Sequence, residues 1–237
     1  MRLVTTCHKG GFDEYGYRLL EGWHHFPKSA ELIWYTEGYD FEPVERVEQR
    51  NILEIDQLVA FKKKYANYVP PEFDVDVVRF SNKVYAVVNA LMDYHDIGIW
   101  IDADCVPYAD MSEEFLRGLL EPGSYIGCFQ RKGAFTETGF WIVDCASPIH
   151  QQFMSTWQKW YDTDAFKKLS GWTDCHTLDS TIRVSKAKVT NLSGAFGSDG
   201  TLHPMAKAEL GKYIDHCKGP KRKRKGFSPE NEHRNIK

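Results

Sequence analysis

The chain has 237 residues, is 42% hydrophobic and 14% aromatic, and carries a formal net charge of −3. That composition excludes global disorder and supplies enough apolar surface for one sizeable core. No apolar run reaches the roughly 18–20 residues that a bilayer span requires, and six scattered cysteines without a CxxC pair exclude a zinc ribbon and read as free, packed thiols.

The predicted elements alternate along the chain. Residues 3–7 read as a strand, closed by Gly10-Gly11. Helical spacing of Tyr15, Leu19, Leu20 and Trp23 predicts a helix over 12–26. ELIWYT at 31–36 is a second strand, and a lysine-bearing helix over 55–65 stops before Pro70-Pro71. Ser81 reads as the cap of a helix carrying Val84, Val87, Val88, Leu91 and Met92. A strand at 98–101 follows, then a helix over 111–120 opened by Ser112, with Glu113 and Glu114 in its first turn. Strands at 125–129 and 139–143, helices at 149–161 and 177–184 and a late strand at 189–192 complete the pattern. Beyond Pro220 the composition turns basic and apolar-poor, which predicts a loose tail.

Alternation of this kind builds βαβ units, so the expected fold is an α/β single domain with a mostly parallel central sheet flanked by helices. Ligands of such sheets bind outside the carboxyl ends of the strands. There the stretch GIWIDADCVPYADM sets Asp102 and Asp104 directly after an apolar strand. Two like charges so close are costly to bury unless a cation lies between them. A solvated turn would also favour aspartate, but the apolar strand before the pair and the capped helix after it favour a site. Hard carboxylate oxygens suit Mn²⁺ or Mg²⁺ completed by substrate phosphates, hence a nucleotide diphosphate. Charge is uneven as well. Residues 218–237 hold eight Lys/Arg against two Glu, whereas the rest holds 22 Lys/Arg against 31 Asp/Glu. A basic end on an acidic body suggests an anionic ligand or partner near that end.

At this point a family comes into view. LMDYHDIGIWIDADCVPYADMSEEF resembles the metal-binding segment of GT-A-fold (Rossmann-like) glycosyltransferases, nearest to the galactosyltransferase and glycogenin-like group. FTETGFWIVDCASP resembles the group's Asn-x-Gly segment, with Glu137 at the Asn position. HCKGPKRK resembles its His-x-x-Gly-x-x-Lys, with His216, Gly219 and, in place of Lys, Arg222. The resemblance spans residue 2 to about 224 and implies a domain over 1–222 followed by a basic, flexible tail over 223–237. It implies a metal-dependent hexosyltransferase that moves a sugar from a nucleotide-diphosphate donor, a UDP-sugar first, to an acceptor hydroxyl of a glycan, a protein or a nucleic acid. The metal ligands would be Asp102, Asp104 and His216. Thr5 and Thr6 of LVTTC would lie in the nucleotide-binding half, joined by Asp102. Gly219 would let the backbone approach the phosphates, with Lys218, Lys221 and Arg222 neutralising them.

Other residues read on their own terms. Arg79 stands just before the helix opened by Ser81 and Lys83 in its first turn, where the dipole disfavours cations, so an anionic ligand is expected near them. GWTDCHTLDSTIRV offers Asp174 and Asp179 as the carboxylate beneath the transferred sugar, with Glu137 as a third candidate. Asp174 also suits a helix N-cap, so catalysis is assigned first to Asp179. In an inverting reaction the residue would be a general base; in a retaining one it would steady the sugar cation. Trp172 and Phe140 are stacking candidates. Two other readings stay open. A nucleotidyltransferase would share the fold, but CHKGGFDEYG offers only Lys9 as a cation beside its glycines. A nucleic-acid binder would use the basic end, against the acidic body. The start of the chain shows no apolar leader and the thiols read as free, so a cytoplasmic location is expected.

Overall fold

The computed structural model describes residues 1–193, 203–229 and 231. A seven-stranded sheet runs through it in the order β3-β2-β1-β4-β7-β6-β8. Its strands are β1 (Arg2–Cys7), β2 (Glu31–Thr36), β3 (Val47–Asn51), β4 (Ile97–Ile101), β6 (Ile126–Arg131), β7 (Ala134–Asp144) and β8 (Val189–Asn191). The first four are mutually parallel, β7 runs antiparallel between β4 and β6, and β8 lies parallel to β6. The expected mostly parallel α/β sheet is present. A separate ribbon pairs β5 (Cys105–Pro107) with β9 (Ile214–His216), antiparallel.

Both faces of the sheet are covered, so the central strands are apolar at nearly every position rather than alternating. Val4, Ile33, Tyr35 and Trp100 face one core with helices α3 (Asp56–Lys64), α4 (Val77–Leu91), α6 (His150–Asp162) and α7 (Asp174–Ser185). Leu3, Leu32, Trp34, Ile99 and Ile101 face the other. Covering that side are the helical segment from α1 (Lys9–Gly11) through α2 (Tyr17–Glu21), together with α5 (Glu113–Gly118) and α8 (Pro204–Lys207). No helix among the described residues is long and apolar enough to cross a membrane.

Several boundaries differ from the sequence reading, each for a local reason. The first helix is interrupted by a π-helical turn at Phe12–Gly16 and closes in a 3-10 turn at Gly22–His25. Helix α4 begins a turn earlier than its expected cap. The Asp76 carboxylate accepts the Arg79 N–H, while Ser81 lies inside the helix and donates its hydroxyl to the Val78 carbonyl. Arg79 is therefore in the first turn and Lys83 in the second. Helix α7 starts at Asp174 with Thr173 in the cap position, so Asp174 is not a cap and its side chain is free for another partner. Strand β3 carried no strand signal because VEQRN is a half-exposed polar edge. The expected boundary after Arg222 falls inside a last helix, α9 (Pro220–Lys225).

Candidate active site

Strand β4 ends against Phe140 of β7, and the chain then turns out of the sheet at Asp102. The turn is pinned at both ends. The Asp102 N–H donates to the Gly139 carbonyl (2.8 Å) and the Cys105 N–H to the Asp102 carbonyl (2.9 Å). The β5–β9 ribbon then sets Cys105 opposite His216, and the Cys217 N–H donates to the Asp104 carbonyl (2.9 Å). Residues more than a hundred apart in sequence thereby share one wall. His216 Nε2 lies 3.1 Å from Asp104 Oδ1 and 3.8 Å from Asp102 Oδ2.

That wall closes one side of a cleft of about 750 Å³ at the carboxyl end of β1 and β4. Of the residues singled out in the sequence, Thr6, Arg79, Lys83, Asp102, Asp104, Glu137, Asp174, His216, Lys218 and Gly219 line it. Thr5 is fully buried inside β1, and Lys221, Arg222 and Asp179 do not line the cleft. Asp179 instead accepts the Thr136 N–H at 3.0 Å, tying α7 to β7.

The positive groups answering the aspartate pair come from the chain itself. Lys83 is a lysine on the mostly apolar inner face of α4. Its Nζ lies 3.0 Å from Asp102 and 2.5 Å from Asp174, donates to the Thr138 carbonyl (3.0 Å), and sits 4.9 Å from the Trp100 ring centre. Burial opposes its charge, but the two aspartates outweigh burial and raise its pKa. Lys223 of α9 reaches Asp104 Oδ2 at 3.0 Å and stacks over Tyr15. The expected loose tail is thus represented at the site by its first residue. Arg18 accounts for part of this order, donating to the Lys223 and Arg224 carbonyls at the end of α9. Asp215 accounts for more, accepting the Ser228 N–H and hydroxyl at 2.7 and 2.6 Å.

Burial alone would raise the Asp104 carboxyl, yet His216 and Lys223 overcome it and hold the group below the usual carboxylate range. Burial likewise works against a charged His216, and Asp104 more than compensates, so the imidazole pKa is raised. Glu137 is only 3% exposed. Its carboxylate accepts the Gly139 N–H (3.2 Å) and Lys218 Nζ (2.7 Å). Against the effect of burial, His203, His216 and Lys218 keep it well below its ordinary value. Gly219 holds φ at 90°, a conformation that favours glycine, where the chain turns from β9 into α9 along the cleft.

Sequence reasoning missed Trp100 and His203 altogether and misassigned Lys223. Trp100 Nε1 donates to Asp102 Oδ1 at 2.7 Å; in sequence it is one more apolar strand residue. His203 is a lone histidine with no local signal.

The donor set suits a hard divalent cation: two carboxylates and one imidazole on a single wall. Cys105, whose ligand atoms also cluster with those of Asp104 and His216, does not join them. Its thiol donates to the Gly139 carbonyl, and burial raises its pKa well above the ordinary value.

No family model and no curated protein matches this chain. Solved structures do. The apo structure of WbbM, a bifunctional glycosyltransferase, matches at 14% identity over 93% of this chain and 46% of that one, with a TM-score of 0.56. Mouse xyloside xylosyltransferase 1 in its apo form matches at 11% identity over 91% and 96%, TM-score 0.53. The galactosyltransferase LgtC in complex with donor and acceptor sugar analogues matches at 9% identity over 93% and 88%, TM-score 0.54. The chain therefore spans less than half of WbbM and most of the other two. At such identities the likeness is one of fold, and the chain has the GT-A fold.

Proposed function

We propose that this chain is a metal-dependent glycosyltransferase that moves a sugar from a nucleotide-diphosphate donor, UDP-sugar first, to an acceptor hydroxyl. The observation that carries the reading is the wall made by Asp102, Asp104 and His216, assembled from two distant segments at the carboxyl end of a GT-A sheet. These three residues would hold Mn²⁺ or Mg²⁺. A divalent ion there would neutralise the diphosphate and stabilise the charge that develops on it as the sugar–phosphate bond breaks.

The remaining roles belong to the chain. The nucleotide lies along the end of β1 at Thr6, with Thr5 supporting that strand from within. Lys218, Lys223 and Arg79 line the cleft as cations for the diphosphate, and the turn at Gly219 brings backbone beside them. Lys221 and Arg222, outside the cleft wall, add to the positive field over its mouth. Asp174 takes the place beneath the transferred sugar, because it lines the cleft and pairs with Lys83, whereas Asp179 is spent on the β7 backbone. The six free cysteines support a reducing, cytoplasmic setting.

Assay of a panel of nucleotide sugars for hydrolysis and transfer, with Mn²⁺ and with EDTA, tests the reading. Turnover of at least one donor with Mn²⁺, lost in EDTA and in Asp102→Asn/Asp104→Asn, is the expected result. Equal turnover by that double variant would show that the site is misassigned.

A further inference from the structure

Glu137 stands where the resembling enzymes carry an asparagine, and the structure gives it different company. It lies on β7, in the stretch that leads to Gly139, and its carboxylate is turned toward β9. Besides the Gly139 N–H and Lys218, two imidazoles face it: His203 Nε2 lies 3.7 Å from Oε2, and His216 Nδ1 lies 3.9 Å from Oε1. Among the described residues, both of these buried ring nitrogens lack a hydrogen-bond partner. The two rings meet edge to face, with centroids 4.6 Å apart. A Cβ at Gly139 would run into the His216 ring, so glycine is what lets that ring stand between the two carboxylates. The order across the wall is Asp104, then His216 Nε2 and Nδ1, then Glu137.

A histidine that ligates a metal through one ring nitrogen keeps its proton on the other, and a carboxylate on that side fixes both the tautomer and the ring plane. We infer that Glu137 is the positioning residue for His216: with a cation bound, its Oε1, 3.9 Å from Nδ1 in the metal-free chain, would close on the Nδ1–H and leave Nε2 to present a lone pair to the Asp102–Asp104 wall. Its other oxygen holds Lys218 at the rim where the diphosphate lies. Glu137 thus acts through His216 and Lys218 and not on the sugar. This role rests on the metal-dependent reading above.

One other arrangement uses the same atoms. Glu137, His203 and His216 lie close enough to bind a second ion. The hydrogen bonding opposes it. His203 Nδ1 accepts the Met205 N–H at 3.3 Å, which puts that ring's proton on Nε2, aimed at Glu137 as a donor. Lys218 already neutralises the carboxylate.

The test measures Mn²⁺ binding without donor, by the spin-resonance signal of free Mn²⁺. Because Glu137→Leu alone would leave the Lys218 ammonium without its carboxylate partner, Lys218→Met is the reference and Glu137→Leu/Lys218→Met the test, with melting temperatures in EDTA confirming that both fold. We expect one Mn²⁺ per chain. Affinity in the double variant should be roughly 10–100-fold below that of the reference, with loss of the nitrogen modulation of the Mn²⁺ spin echo that marks imidazole ligation. Glu137→Gln/Lys218→Met, which keeps an acceptor oxygen, should fall between the two. Equal affinity and intact modulation in the Leu variant would overturn the role. So would a second equivalent of Mn²⁺ abolished by His203→Ala. Wild-type affinity in Asp104→Asn would instead sink the metal site itself, and Glu137's role with it, an outcome visible separately in the same assay.

Discussion

Strand β4 carries an acidic cluster at each end, and the two behave in opposite ways. Just before it, Asp96 takes a two-pronged contact from Arg117 (2.7 and 3.1 Å), which also meets Glu113 at 2.7 Å. Asp96 and Arg117 are about two-fifths exposed. Just after it, the buried Asp104, Asp174 and Glu137 and the half-buried Asp102 meet Lys83, Lys223 and His216 in a wall from which water is largely excluded, with Lys218 at its exposed rim. The first cluster is a surface staple whose ions stay hydrated and gain little from each other. The second gathers dehydrated ions at a cost that packing alone would never select, at the end of the sheet where ligands bind. Burial of the partners, not the number of ion pairs, separates a site from a staple.

The largest test of this contrast is Asp104→Asn. It should lower turnover roughly 10²–10³-fold. Repulsion between Asp102 and Asp104, taken by itself, would make the metal-free variant the more stable chain. The structure reverses that expectation, because Lys223 and His216 would be left without their partner. Urea unfolding in EDTA should therefore show a loss of about 3 kcal/mol.

Next comes the pair on α7. Asp174→Asn should cut turnover roughly 10²–10⁴-fold with Mn²⁺ affinity retained, and Asp179→Asn should leave turnover near wild type. The reverse ranking in steady-state kinetics would move the catalytic carboxylate to Asp179.

Two buried histidines sharpen the comparison through pH. His216 has its pKa raised in the folded, metal-free protein, so its contribution to stability is complete below the unfolded value of about 6.5 and fades as pH rises through the folded value. His150, at the other end of the molecule, bridges Tyr125 and the Leu91 carbonyl and has its pKa lowered by burial. Its contribution is present above about 6.5 and fades as pH falls. Denaturation in EDTA across pH 5–9 should lose the alkaline slope in His216→Gln and the acid slope in His150→Gln. The smallest effect belongs to the staple: Arg117→Ala should cost at most about 1 kcal/mol and leave turnover unchanged.

The strand frame and the aspartate loop at the end of β4 were legible because their signals are local: an unbroken apolar strand, then two acids. Ser112 was readable as a cap for the same reason, and it does accept the Phe115 N–H. What escaped was set by distant partners. Lys83 in an apolar helix looks like a misplaced surface cation until Asp102 and Asp174 surround it. PKRKRK has no apolar period, so nothing local marks α9 as ordered; Arg18, Asp104 and Asp215 do that from elsewhere in the chain. The resemblance grouped His216 with Asp102 and Asp104, but only the β5–β9 register explains how it arrives beside them.

The most direct measurement of the central claim is thermal unfolding of the wild-type chain and Asp104→Asn with UDP, Mn²⁺, or both. The account predicts that UDP and Mn²⁺ together raise the wild-type melting temperature well beyond either alone, and that Asp104→Asn shows no such synergy. A melting temperature that UDP and Mn²⁺ leave unmoved, or synergy retained in Asp104→Asn, would contradict it.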